Sequence, residues 1–315
     1  MSSPTKDLLL RVAAITPIAG GIDAFDLRDA AGGELPAFTA GAHIGIRLAE
    51  GVTRKYSLCN DPAERDRYEI AVKRESHAPR LVEQVRVGDV LHGVEPHNSF
   101  ELVDAPEYVF IAGGIGITAL LSMIRHLHAG GRSSFHLYYL SRSVETTAFR
   151  DELMAAPYAG QVTLHHDAGD PDNGLDLWPI LERVTKAHVY CCGPRPLLEA
   201  VRDMTGHWPP ARVHFESYVD AAAARKPEDR AFTVRFAQSG DSFDVAPGIS
   251  ILDAAREHGH DVPSSCESGT CGTCKTRYLQ GEPDHRDLVL SEDEKGEFVM
   301  VCVSRSKTPL LVLDR

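Results

Sequence analysis

Residues 266–276, CESGTCGTCKT, set three cysteines within nine residues, among neighbours that are small or polar, and a fourth follows at Cys302 in VMVCVSR. The spacing is C-x4-C-x2-C-x27-C. No other feature constrains the chain as much, because thiols this close force the backbone to curl around whatever they hold. Structural zinc usually draws on two close pairs of ligands, often C-x2-C twice, and a three-plus-one distribution does not match that pattern. Lone core thiols do not cluster three in nine. The arrangement is the plant-type spacing of a [2Fe–2S] centre, which makes Cys266, Cys271, Cys274 and Cys302 the candidate metal ligands. The neighbours Ser265, Ser268, Gly269, Thr270, Gly272 and Thr273 suit it. Sulfides and thiolates carry negative charge and need backbone N–H donors, and small residues let the backbone close in.

Such a cluster carries one electron, so the rest of the chain has to supply it. At 315 residues there is room for two or three domains. A hydrophobic fraction of 43% with 25% charged residues is that of a soluble globular protein. The formal charge of -12 argues against a nucleic-acid ligand, since phosphate binding wants a basic surface. The opening MSSPTKDLLLRVAA has too short an apolar run for a signal peptide. The longest apolar stretch, VFIAGGIGITALLSMI, is glycine-broken and too short to span a bilayer. We therefore expect a cytoplasmic monomer without membrane contact. In a reducing compartment seven cysteines, an odd count, are no disulfide framework.

The chain reads as multidomain. Up to residue 103, GIDAFDLRDA, GAHIGIRLA, RKYSLC, RYEIAVKR and GDVLHGVEP are short, alternating segments bounded by Gly, Pro and Asp, which predicts a small antiparallel β-barrel. Over 104–219 the strands YVFIAG, SFHLYYLS, QVTLHH, AHVYCCG and RVHFES alternate with helical stretches, which predicts an α/β domain on a parallel sheet. Residues 220–230, DAAAARKPEDR, lack an apolar period and read as a linker. Residues 231–315 form a third domain: a hairpin around a Ser-Gly-Asp turn, the helix SILDAAREHG, then the cysteine loop.

Several short motifs point to ligands. In TRKYSLCN, the R-x-Y-S pattern makes Arg54 and Ser57 candidates for a flavin's phosphate and ring edge, and Tyr56 for covering it; the alternative is an ordinary strand with a solvated arginine. In AVKRES a strand backbone ending near Lys73 can read a polar ring edge. IAGGIGITALL brings Gly114 and Gly116 between a strand and a helix, where phosphate can approach the helix N-terminus, although it lacks the third glycine of G-x-G-x-x-G. Thr118 either caps that helix or touches a ligand. Cys192, Gly193 and Pro194 in YCCGPRPLL, and Arg142 in LSRS, lie at other strand C-termini, where open α/β sheets bind ligands. His285 in PDHRD reads as part of a surface loop.

The order of flavin barrel, nicotinamide domain and C-terminal ferredoxin, with RKYSLCND, IAVKRES, AGGIGIT, LYYLSR, YCCGP, VHFESY, VPSSCESGTCGTCKT and VMVCVSR, resembles the phthalate dioxygenase reductase family and, beyond it, vanillate-type O-demethylase reductases. The resemblance spans nearly the whole chain. It implies FMN, NADH, a plant-type ferredoxin (β-grasp, α+β) domain and a Rieske-type oxygenase as electron acceptor. It places Tyr56, Ser57, Ala71, Val72, Lys73 and Thr118 near FMN, and Glu216, Ser217 and Tyr218 at the flavin–nicotinamide junction. No residue need act as acid or base in the hydride step. Two departures stand out. Ala119 replaces a proline of the family's GGIGITP, and ESHAPRLVEQ replaces a glycine-rich phosphate loop. Pro79 lacks an N–H, so the phosphate is expected to rest more on the arginines Arg80 and Arg54.

Overall fold

The computed structural model describes residues 7–48, 53–74, 85–131, 134–155, 157–217, 226 and 228–315. They group into two compact units, Met1–Gly193 with Asp203–His214, and Pro194–Arg202 with Phe215–Arg315.

The first unit opens with β1 (Asp7–Ala19), β2 (Ile22–Asp29), β3 (His43–Arg47), β4 (Thr53–Ser57), β5 (Tyr68–Lys73) and β6 (Val90–His97). These form one antiparallel sheet in the order β4-β3-β6-β1-β2-β5. Leu58, just after β4, bridges Ile70 in β5, which joins the two sheet edges and closes the expected barrel. Strand β1 has no counterpart among the segments read from sequence, yet it is the spine. Leu8, Leu10 and Val12 alternate inward while Asp7, Leu9 and Arg11 face out, and this period-two pattern was hidden under three consecutive leucines. Leu10, Phe25, Leu27, Ile44, Ile46, Leu58 and Ile70 fill the barrel and are fully buried.

The chain then builds a second sheet from β7 (Tyr108–Gly113), β8 (Phe135–Ser141), β9 (Val162–His166), β10 (His188–Cys192) and β11 (Val213–Glu216), in the order β11-β10-β7-β8-β9. Strands β10, β7, β8 and β9 run parallel, as the strand–helix alternation predicts. Helix α1 (Ile117–Ala129) follows β7 and is buried from Ile117 to Ile124 and at Leu127. Its Ser122 hydroxyl donates to the Asn60 carbonyl of the barrel at 2.8 Å. Its Arg125 donates to the Cys59 carbonyl at 3.0 Å and to Glu69 of β5, and grips Glu152 with two bonds of 2.8 and 2.6 Å. Burial opposes the charge on Arg125, but Glu152 and Glu69 outweigh it and raise the pKa, so the guanidinium stays ionised between them. Barrel and parallel sheet are thus bound through a polar junction as well as an apolar one.

The second unit holds β12 (Phe232–Phe236), β13 (Ser242–Val245), β14 (Lys275–Gln280), β15 (Pro283–Asp284), β16 (Phe298–Met300), β17 (Arg305–Ser306) and β18 (Leu310–Leu313). Its main sheet runs β13-β12-β18-β14-β16, with β12 and β18 parallel and the other pairs antiparallel. Helix α2 (Arg195–Met204) follows β10 in sequence; helix α3 (Ile251–Glu257) lays Ile251, Leu252, Ala254 and Ala255 onto the core of the second unit. Ser250 caps α3 by accepting from Asp253 N at 3.0 Å. A helix packed on a mixed sheet is the β-grasp arrangement expected of this segment.

Candidate functional site: a thiol quartet, a barrel cleft and a sheet edge

The cysteine loop follows α3 and runs into β14; Cys302 lies between β16 and β17, on the other side of the β14–β16 pairing. Lys275, one residue past Cys274, is paired with Met300, two residues before Cys302, which is how a ligand 28 positions away returns to the loop. Cys266 N donates to Cys271 Sγ at 3.5 Å, and Ser268 N to Cys266 Sγ at 3.5 Å. The turn of the loop thus sets Cys266 beside Cys271, and the β14–β16 register brings the Cys302 segment to Cys274, so the thiols fall two by two. Among the described residues no three His, Cys, Asp or Glu side chains converge on one point. A single tetrahedral ion wants all four ligands at one centre. Two irons bridged by sulfides want two thiolates each. The donor set fits the two-iron cluster.

Backbone geometry tightens that fit. Gly269 has φ of +77°, and a Cβ there would lie 2.7 Å from Val303 Cγ2 and 3.1 Å from Asp287 Cα. Only glycine lets the loop turn this closely against the Cys302 segment. Arg256 ties the loop's start by donating to Ser264 Oγ at 2.6 Å and Glu267 Oε1 at 2.8 Å. Cys274 and Cys302 are buried, whereas Cys266 and Cys271 are half-exposed, so one pair faces the core and the other the surface.

His285 is not on a surface loop. Its side chain is only 18% exposed, and Nδ1 stands 3.8 Å from Asp287 Oδ1. Burial lowers the His285 pKa more than the neighbouring carboxylate raises it. The PDHRD stretch was misread because charged residues usually mark solvent, and here they pair with one another instead.

In the barrel, strand alternation sets Arg54 and Tyr56 on one face of β4. Tyr56 is half-buried against the barrel core, and Ser57 closes the strand, buried, opposite His43. The Arg54 Nε is buried and has no hydrogen-bond partner among the described residues. An orphaned guanidinium nitrogen in that position is what an anionic group would satisfy. It fits the phosphate of a flavin mononucleotide. Ala71 and Val72 of β5 are buried and offer backbone, while Lys73 at the strand end is exposed. Strand β5 packs beside the Gly114–Gly116 turn of the second sheet, so the flavin residues and the glycine turn share one region. Arg80 and Tyr218 lie outside the described residues.

At the parallel sheet, β7, β8, β9 and β10 all end at one edge. Gly114 adopts φ of +55° in the turn after β7. Gly116 has a stricter reason to be glycine: a Cβ would stand 2.1 Å from the Cys192 carbonyl oxygen and 2.9 Å from Gly193 N. The two glycine motifs, 80 residues apart in sequence, are thus pressed together at the C-termini of adjacent strands. No side chain fits at Gly116. Thr118 is not the N-cap: α1 begins with Gly116 as N-cap, and the Thr118 hydroxyl donates to Ile115 O at 2.9 Å. Cys192 is buried, Arg142 sits exposed just after β8, and Pro194 starts the segment leading into α2. Glu216, at the end of β11, is buried and Ser217 half-buried. The junction residues Ser122 and Arg125 carried no sequence signal, since polar positions on a helix normally face water.

A closed barrel with an orphaned arginine, a nucleotide edge beside it and a two-iron thiol quartet define a flavin–iron–sulfur reductase drawing on a pyridine nucleotide. Residues 234–307 match the model of the 2Fe-2S iron-sulfur cluster binding domain. The phthalate 4,5-dioxygenase oxygenase reductase subunit of Pseudomonas putida is 49% identical over 312 residues, 97% of this chain and 96% of its own length. The phthalate dioxygenase reductase of Burkholderia cepacia is 48% identical over the full length of both chains. A solved phthalate dioxygenase reductase, described as a modular structure for electron transfer from pyridine nucleotides to [2Fe-2S], superposes with a TM-score of 0.73 at 47% identity, covering 98% of each chain. The chain belongs to the phthalate dioxygenase reductase family, NADH-dependent FMN and [2Fe–2S] oxidoreductases that deliver electrons to an oxygenase.

Proposed function

We propose that this reductase serves a Rieske-type dioxygenase acting on phthalate, as a cytoplasmic monomer. The two-by-two pairing of the cysteines carries the electron-transfer reading, and the near-50% identity to two phthalate-system reductases over the full chain supports the acceptor. Seven free cysteines fit a reducing compartment. When bound, FMN supplies the conversion of a two-electron hydride into single electrons that the cluster accepts. The protein's own work is to bind and align.

We assign residues 1–103 to FMN, 104–219 to NADH and 231–315 to the cluster. Arg54 and the segment containing Arg80 hold the FMN phosphate; Tyr56, Ser57, Ala71, Val72, Lys73 and Thr118 border the ring and its chain. Gly114, Gly116, Cys192, Gly193 and Pro194 form the nucleotide's backbone cradle, with Arg142 at its ribose or phosphate. Glu216, Ser217 and Tyr218 border the junction where nicotinamide meets flavin, without proton transfer in the hydride step. Cys266, Cys271, Cys274 and Cys302 hold the cluster. Coupled turnover decides the acceptor: NADH consumption should depend on phthalate when the reductase is mixed with a phthalate oxygenase. If a vanillate demethylase oxygenase is driven faster, the acceptor assignment is wrong.

Removal of Arg54 tests the phosphate site. Arg54→Ala should weaken FMN binding about ten- to a hundredfold, the equivalent of one charge-assisted hydrogen bond at about 1.5–3 kcal/mol. Flavin fluorescence during titration reads it, with a steeper loss at high salt in the wild type than in the variant. Unchanged affinity would move the phosphate to the segment around Arg80.

Docking has its own signature. Residues 231–315 carry nine Lys and Arg against fourteen Asp and Glu, a balance of -5. An acidic carrier approaches a partner with basic residues, and salt screens that steering. Rising ionic strength should slow transfer to the oxygenase and leave reduction of a small neutral acceptor nearly constant. Equal salt sensitivity of both reactions would count against electrostatic docking.

A further inference from the structure

In the second unit, four charged side chains come together under the cluster segment. Arg286 donates to Asp229 at 2.6 and 3.1 Å and to Asp284 at 2.8 Å through Nε. Arg305 Nε lies 3.7 Å from Asp229. The side chains of Arg286, Arg305 and Asp229 are each no more than 6% exposed. Arg305 also donates to the Arg230 and Ala246 carbonyls at 2.9 and 3.1 Å and to Ile249 O, and lies over the Phe232 ring at 5.0 Å. Asp229 belongs to the stretch that composition marks as linker, yet it is held here, with Lys226 N donating to its carboxylate at 3.2 Å.

This network touches both halves of the thiol quartet through the backbone. Arg305 comes three residues after Cys302. The Arg286 N–H donates to Ser304 Oγ at 3.2 Å, two residues after Cys302. Two residues further along, Leu288 N donates to Gly269 O at 2.9 Å, inside the cysteine loop, and Asp287 Oδ2 accepts from Val289 N and Leu290 N at 3.2 and 2.8 Å. Residues 286–288 therefore form a strut from the Cys302 segment to the Cys266–Cys271 loop, and the buried Asp229–Arg286 pair fixes its root.

We infer that Asp229, from the interdomain stretch, is a positioning residue for the iron–sulfur ligands: it locks Arg286, which braces the Cys302 segment against the cysteine loop. This rests on the cluster reading above. The merely structural alternative, that the pair only holds the domain together, predicts loosening everywhere.

The test uses the full-length, cofactor-loaded protein and the near-isosteric Asp229→Asn. Iron release to a chelator, followed by visible absorbance, should quicken on the order of tenfold to a hundredfold, the range spanned by one charge-assisted bond. Hydrogen exchange read by mass spectrometry should rise at Leu288 and in residues 266–274 and stay at the wild-type level in β12 and β18. FMN content should not change. Should Asp229→Asn fail to fold, Ser304→Ala removes the acceptor of the Arg286 N–H and leaves the ion pairs; the same local pattern, at smaller amplitude, is expected. Iron release at the wild-type rate in either folded variant overturns the brace, and so does exchange that rises evenly through β12 and β18. Metal analysis of the wild type tests the cluster reading separately: if the four cysteines hold another metal, the brace is judged by the release rate of that metal.

Discussion

Cys302→Ser is expected to end electron delivery to the oxygenase while NADH still reduces the flavin. Cys302 is 1% exposed, in a core with Val299, Met300 and Val303, so the substitution hardly alters the surface. Its loss would remove one of the four thiolates that would hold the cluster, the one that the β14–β16 register brings to Cys274. A serine hydroxyl, far less acidic than a thiol, is a poor replacement for thiolate at iron. Wild-type protein should carry about two irons and two acid-labile sulfides per chain, and the variant a small fraction of that. Arg54, Tyr56, Ser57, Ala71, Val72, Lys73, Gly114, Gly116, Arg142, Cys192 and Gly193 belong to the other unit, so the rate of flavin bleaching by NADH in a stopped-flow mixer should stay close to wild type. Full iron content in the variant would assign the fourth ligand elsewhere, and stoichiometric zinc in the wild type would sink the cluster altogether.

The second large effect belongs to the junction in the first unit. Arg125→Met should destabilise that unit by about 3 kcal/mol, the lower end for breaking a buried ion pair, because the groups retain partial exposure. Arg125 is 15% exposed and Glu69 14%, with Glu152 at 33%. The methionine keeps an unbranched side chain beside the Phe149 ring but leaves Glu69, among the described residues, with only the more distant Arg67, 3.9 Å away, and the Cys59 carbonyl without its donor. For a unit of this size about 3 kcal/mol corresponds to a melting temperature lower by roughly 6–12 °C. Flavin fluorescence during a thermal scan reads this unit, and absorbance of the iron–sulfur centre reads the other. A flavin transition at the wild-type temperature would mean that apolar contacts alone hold barrel and sheet together.

Much of this was legible in the residues. The cysteine spacing is a local pattern within nine positions, and local patterns survive folding, so ligand identities could be read directly. Alternation revealed five barrel strands, and the strand–helix rhythm revealed the parallel sheet. Strand β1 escaped because Leu9 is apolar yet points out, which blurs the period. What lay beyond the sequence were the choices made across strands. It could not say that the thiols pair as Cys266 with Cys271 and Cys274 with Cys302. Nor could it say that Gly116 meets Cys192, that Arg125 meets Glu69, or that Asp229 of an apparent linker meets Arg286. Each of these joins positions about five to 80 residues apart whose meeting depends on sheet register and on burial of charge against charge. By itself the chain's sequence determined which atoms are available for electron transfer, because side-chain chemistry is a property of each residue. Only the tertiary structure decided which of them share a site, because proximity is set by the hydrogen-bond register of distant strands and by the packing of the cores between them.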